Sequence, residues 1–315
     1  LSSSCSSTGE RMNAQAAYNP PTVTAIAKAQ NTEANLKLLL VQRRLYSQAK
    51  RWAFFRGLGV GLVAVTAPLI AAFWAPLAEW ASAFAAVWYA LNRALFRYFE
   101  RRKARLGAAA QEQFDLKVFG MPIIAVREPR LLPEDIALID RSARRRKAFS
   151  EEELRNWYPI RKDVSGRVAI AIAQRGNLSY SRRLLQRYAL LWLSSLCAWV
   201  FITLGIAIYS RFDLATFLLA VALPVLPPLV DALDEFLQVR AAGSEREALA
   251  NEIEDAIRAD VKSPITAQQL LAWQGQLFAL RRDTPLVPDW LYRLFRDCAE
   301  TEMSDAAETI CKETT

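Results

Sequence analysis

The chain has 315 residues, a formal net charge of +8, 53% hydrophobic and 23% charged residues, and no histidine. The apolar residues come in blocks with the charges between them, which argues against a globular enzyme and for a membrane protein with sizeable aqueous parts. The missing histidine excludes His-based general-base chemistry, His–Cys nucleophiles and His-ligated metals.

The opening stretch "LSSSCSSTGER" is small and polar, lacks the apolar core of a signal peptide, and makes Met12 the expected native start. "QNTEANLKLLLVQRRLYSQAKRW" (30–52) reads as a helix. Leu36, Leu39, Leu40 and Tyr46 fall at helical spacing, and Arg43, Arg44 and Lys50 supply a polar side. From Gly57 to Ala75 there is no charge over 19 residues, about the span of a hydrocarbon core. After a break at Pro76 and Glu79, a second span runs from Trp80 to Phe96, with Trp74, Trp80, Trp88 and Tyr89 suited to the interfacial belt. Residues 97–187 are mostly aqueous and contain "QEQFDLKVFGMPIIAV" and the cationic "RSARRRK". The pair Ser150 and Glu153 has the spacing of a capping box and predicts a helix that stops near "NWYPI". "VAIAIAQRGN" fits a strand or a helix.

A third span, Tyr188–Ser210, and a fourth, Leu214–Val230, are separated by a break containing Arg211 and Asp213. Pro224, Pro227 and Pro228 predict a kinked or unwound inner end for the fourth span. The tail reads as helical. Ser244 with Glu247 forms a second capping-box pattern, Thr266 caps the next helix, and Trp290, Leu291, Leu294 and Phe295 share one face of the last. The cysteines at 5, 197, 298 and 311 have no metal-type spacing and no evident disulfide framework, which fits a reducing cytoplasm.

Cations set the topology. Lys50, Arg51 and Arg56 precede the first span, Arg93 to Lys103 follow the second, and Arg182, Arg183 and Arg187 precede the third, whereas the short turns carry only Arg211. The positive-inside rule then places both termini and the central region in the cytoplasm. The expected fold is mainly α and integral to the membrane. It divides into a flexible lead (1–29), an amphipathic helix (30–52), a transmembrane hairpin (53–96), a cytoplasmic linker or sensor region (97–187), a second hairpin (188–233) and a helical cytoplasmic tail (234–315).

Arg175, Asn177, Tyr180, Arg182, Arg183 and Arg187 crowd the approach to the third span. One reading is topology together with lipid headgroup contact. The other is a phosphate-and-base site, because guanidinium forks match phosphate oxygens and an aromatic ring stacks a base. The two are compatible. Phe114 and Asp115 form either a packed element before the Gly120 turn or a place for a base edge, with Arg175 an alternative partner for the acid. Trp157 and Tyr158 fit stacking on a ligand or core packing equally. Asp231, Asp234 and Glu235 either line a cation-favouring mouth or pair with arginines. No cofactor and no metal site is expected.

The stretches "QNTEANLKLLLVQRRLYSQAKRW", "QEQFDLKVFGMP", "LRNWYPI", "AIAQRGNLSYSRRLLQRYA" and "PDWLYRLFR" cover nearly everything after Met12. On these the chain resembles the SMODS-associated four-transmembrane (S-4TM) pore-forming effectors of bacterial anti-phage defence. It departs from that pattern after "QRGN", where it has Ser179–Tyr180 in place of Trp–Asp. The resemblance implies a multi-pass inner-membrane protein of CBASS-type defence. It implies a cyclic-oligonucleotide ligand made by a neighbouring nucleotidyltransferase and permeabilisation that disables the cell. Four spans make a poor conduit alone, so a homo-oligomer follows, with the lipid bilayer as partner and no nucleic-acid polymer. A membrane-anchored receptor or scaffold recruiting a partner through the tail is the alternative. An enzyme is the weakest reading, since no Gly-rich phosphate loop, Ser nucleophile motif or carboxylate cluster at metal spacing is present.

Overall fold

Long apolar and amphipathic runs with few breakers fold here as long helices. The computed structural model describes residues 18–73, 78–122, 129, 131–145, 152–160, 163–209, 211, 213–218, 223–291 and 294. These residues form helices and loops with no strand among them, so the protein is mainly α. In chain order the helices are α1 (Val23–Ala29), α2 (Glu33–Phe73), α3 (Ala78–Leu91), α4 (Arg97–Val118), α5 (Pro133–Arg145), α6 (Gly166–Tyr209), α7 (Leu214–Thr216), α8 (Leu223–Ala259) and α9 (Ala267–Asp283). A π turn, Asn92–Phe96, joins α3 to α4, and a 3-10 turn covers Glu152–Leu154.

α2 has 41 residues and α6 has 44. At about 1.5 Å per residue they are roughly 60 and 65 Å long, about twice the ~30 Å of a hydrocarbon core. Each therefore has an aqueous half and an apolar half. On α6 the buried side chains run from Val168 to Ala189 and then stop. Its most apolar 18 residues have a mean hydropathy of 2.1, and none of them is buried. Phe201, Ile202 and Ile208 on α6, Phe54, Phe55, Leu58 and Leu62 on α2, and Phe84 and Val87 on α3 all stand exposed. In water each such side chain would forgo about 1.5–3 kcal/mol of burial, and a surface this apolar marks a membrane or partner face. Among the described residues, α6 is the one helix that meets both the length and the hydropathy of a membrane span. Of the other expected spans, 57–73 belongs to α2, 80–96 to α3 and the π turn, and 214–230 to α7 and the start of α8, with residues 219–222 outside the described set.

The helices pair as two antiparallel hairpins. α4 returns along α2, with Gln42 bonded to Gln111 and Arg56 to Glu100. A Cβ added at Gly107 would stand 3.2 Å from the Tyr46 ring, so glycine lets these two backbones approach. α8 returns along α6, and α9 lies against α4, α6 and α8. The aqueous core is Ile26, Leu39, Phe114, Ile170, Leu178 and Ile253 with their neighbours, drawn from α1, α2, α4, α6 and α8.

Local signals were met unevenly. The Thr266 side chain caps α9 in a complete capping box with Gln269. α4 ends at Phe119, with Gly120 at φ 61° and Met121 N–H donating to Leu116 C=O, a Schellman stop that makes "VFGMP" the expected turn. "VAIAIAQRGN" is helical, inside α6. The Ser244–Glu247 pattern starts nothing, because α8 runs through it and packs there against α6. Ser150 lies outside the described residues, and only the 3-10 turn precedes "NWYP". α2 is continuous across residue 52, joining the amphipathic helix to the first apolar block. α8 is helical through Pro224, Pro227 and Pro228, so that end is not unwound. Leu291 is buried while Trp290 and Leu294 are exposed; Phe295 and residues 292–293 lie outside the described residues.

Candidate functional site

Gln30 and Asn31, between α1 and α2, anchor the segment 156–158 that floors a cleft. Gln30 accepts from Tyr158 N–H (2.9 Å) and donates to Tyr158 C=O (3.3 Å). Asn31 accepts from Asn156 N–H (2.9 Å) and donates to the Asn156 side chain (2.9 Å). Asn156 takes a left-handed backbone, φ 52°, which asparagine tolerates better than most residues. These four bonds present Trp157 and Tyr158 toward α6. Arg43 of α2 lies over the Trp157 ring, 5.7 Å from its centroid, and pairs with Glu153 at 3.1 Å.

Above that floor, α6 contributes Arg175, Gly176, Asn177, Tyr180, Arg182 and Arg183, and α8 contributes Asn251 and Glu254. With Arg43, Arg155, Trp157 and Tyr158 they enclose about 560 Å³, within the ~300–1,000 Å³ of small-ligand sites. A Cβ added at Gly176 would meet nothing within 4 Å, so the cleft is open at that point. Burial first, and then the charges of Arg182, Arg187 and Arg175, hold the Arg183 pKa below its ordinary value. Cations so crowded favour an anion among them.

Of the residues singled out in the sequence, Arg175, Asn177, Tyr180, Arg183, Trp157 and Tyr158 come together here, while Arg187 does not line the cleft. Phe114 and Asp115 are instead fully buried beneath it. Asp115 accepts from Tyr158 Oη (2.6 Å), Arg281 Nη1 (2.6 Å) and Gln274 Nε2 (3.1 Å), so its partner is Arg281 and not Arg175. Asn177 Nδ2 donates to Tyr158 Oη at 2.8 Å, joining cleft wall to buried network. Burial, and next the Asp115 charge, push the Tyr158 hydroxyl well above its usual pKa. Arg175 pairs with Glu254 at 2.6 Å and Arg182 with Glu247 at 2.7 Å. Sequence reasoning missed Arg43, Arg155, Asn251 and Glu254, which arrive from other elements and carry no local signal.

Closer to the apolar halves, Glu235 of α8 sits 3.4 Å from Arg56 and 3.7 Å from Arg97, and Arg56 pairs with Glu100 at 2.8 Å. Glu235 thus pairs with arginines, as one of the two sequence readings held. Burial raises the Glu100 pKa against the pull of Arg56. Asp231 is buried and lines a separate, mostly apolar cavity of about 380 Å³ between α2, α6 and α8.

Helices that leave a packed body with unburied apolar halves, beside a cleft of arginines and aromatics, are those of a helical membrane protein. The chain belongs to the SMODS-associating 4TM effector domain family, whose profile matches residues 24–310. It is 24% identical over 277 residues to a probable CBASS effector molecule of Bacillus cereus (strain VD146), covering 84% of this chain and 91% of that protein. No solved structure matches it.

Proposed function

We propose that this protein is a membrane effector of CBASS-type anti-phage defence, whose cleft binds a cyclic oligonucleotide and whose apolar helices then permeabilise the inner membrane. The observation that carries this is the position of the cleft on α6. The helix that supplies Arg175, Tyr180 and Arg183 runs without a break into the unburied apolar stretch that ends at Tyr209. Binding energy spent on one end of a continuous helix acts on its other end, provided the ligand prefers one of two arrangements. The family and the Bacillus cereus relative support the effector class. Four spans, both termini cytoplasmic, and a homo-oligomer around the conducting path complete the proposal, with no catalytic step.

The test is calorimetric titration of the detergent-solubilised protein with cyclic di- and trinucleotides. A charge-assisted contact is worth about 1.5–3 kcal/mol, so roughly ten- to a hundred-fold in affinity rides on each fork-shaped contact that lysine cannot reproduce. Arg175→Lys and Arg183→Lys are expected to lose that much, and Arg187→Lys, outside the cleft, to bind like the parent. Equal binding by all three variants would reduce the cluster to a membrane anchor.

A further inference from the structure

Two ion pairs clasp α6 to α8 at the cleft. Arg175 Nε and Nη2 lie 2.8 and 2.6 Å from Glu254 Oε2, and Arg182 Nη1 lies 2.7 Å from Glu247 Oε1. The two arginines are seven residues apart, and so are the two glutamates, in reverse order. Two turns of one helix therefore mesh with two turns of its antiparallel neighbour. We propose that Glu247 and Glu254 act as built-in anions, occupying in the resting protein the places on Arg175 and Arg182 that ligand phosphates take. This rests on the reading of the cleft as a phosphate site.

Three observations support it. A carboxylate and a phosphodiester present the same pair of acceptor oxygens to a guanidinium fork, so one can replace the other without rebuilding the site. The clasp is also open to exchange. Its side chains are 17% and 21% exposed at Arg175–Glu254 and 27% and 44% exposed at Arg182–Glu247, whereas the Arg281–Asp115 pair below is sealed at 9% and 0%. Finally, displacement strands no buried charge. Glu254 keeps Arg258 at 2.9 Å, and Glu247 turns to water.

Arg246 stays behind as a pivot. It donates to Ser181 Oγ (3.0 Å), Leu280 C=O (2.8 Å) and Thr284 Oγ1 (2.8 Å), none of them a carboxylate. Anion binding thus loosens α8 from α6 on the cleft side of Arg246 while the helices remain joined at Arg246 and Ser181.

The deciding experiment is titration of the full chain with pyrophosphate, a probe that carries phosphate but no base. Glu247→Gln/Glu254→Gln keeps side-chain size and removes the competing anions, and is expected to bind pyrophosphate about ten-fold more tightly than the parent. The exchange Arg175→Glu/Glu254→Arg keeps a clasp but reverses its polarity, and is expected to lose binding at least ten-fold by the same reasoning. Unchanged affinity in the double glutamine variant, with the parent still binding, overturns the built-in anion and leaves the cleft reading in place. No pyrophosphate binding by parent or variant overturns both. If the double variant does not fold, single Glu247→Gln on the more exposed rung decides, with about three-fold tighter binding expected.

Discussion

Asp115→Ala separates the core from the site. The Asp115 carboxylate is fully buried and takes hydrogen bonds from Arg281, Tyr158 and Gln274. Truncation leaves the Arg281 guanidinium with its side chain only 9% exposed and without that carboxylate, and its Nη2 already lacks a hydrogen-bond partner. Removing one member of a buried ion pair costs about 3–5 kcal/mol, because the surviving charge is stranded. For a helical body of this size, that lowers the melting temperature by roughly 10 °C. The second change, Arg281→Met on the Asp115→Ala background, removes the stranded charge and is expected to recover at least about 2 kcal/mol of the loss. The assay is thermal unfolding in detergent followed by circular dichroism, with pyrophosphate binding in parallel. A loss of less than about 1 kcal/mol accompanied by loss of anion binding would refute the reasoning and return Asp115 to the ligand site.

Gly176→Phe is expected to fold normally, because a Cβ there meets nothing within 4 Å, and to abolish nucleotide binding by filling the cleft; unaltered affinity would place the ligand elsewhere. Replacing Pro224, Pro227 and Pro228 with Ala restores backbone donors to the first turns of α8 and is expected to change ligand-triggered leakage without preventing membrane insertion. Identical leakage from the triple variant would remove the prolines from gating. Reporters fused after Lys103 and at the C-terminus are expected to read cytoplasmic, and one inserted near Arg211 external; an external C-terminus contradicts the four-span arrangement.

Much of this was legible because it is local. The α6 arginines of the cleft and Tyr180 lie within nine residues of one another, so they were legible as a cluster even with "VAIAIAQRGN" open as strand or helix; α6 then sets them within about two turns. Thr266 and Gln269 cap α9 because nothing larger competes for that turn, whereas the same spacing at Ser244 and Glu247 is overridden by the packing of α8 on α6. What the sequence hid is set by distant partners. An acid among aromatics looks alike on a surface and in a core; only Arg281, 166 residues away, makes Asp115 a core residue. Arg43 joins the site through the Trp157 ring, and Glu254 through Arg175, each from an element with its own unremarkable pattern.

The central claim is that anion capture in the cleft opens the membrane. It is tested most directly by dye release from liposomes of bacterial lipid containing matched amounts of the parent and Gly176→Phe, challenged with a panel of cyclic di- and trinucleotides. The account predicts rapid release from the parent with at least one of them and none from the blocked variant. Release from both alike, or from neither although the parent binds nucleotide, would contradict it.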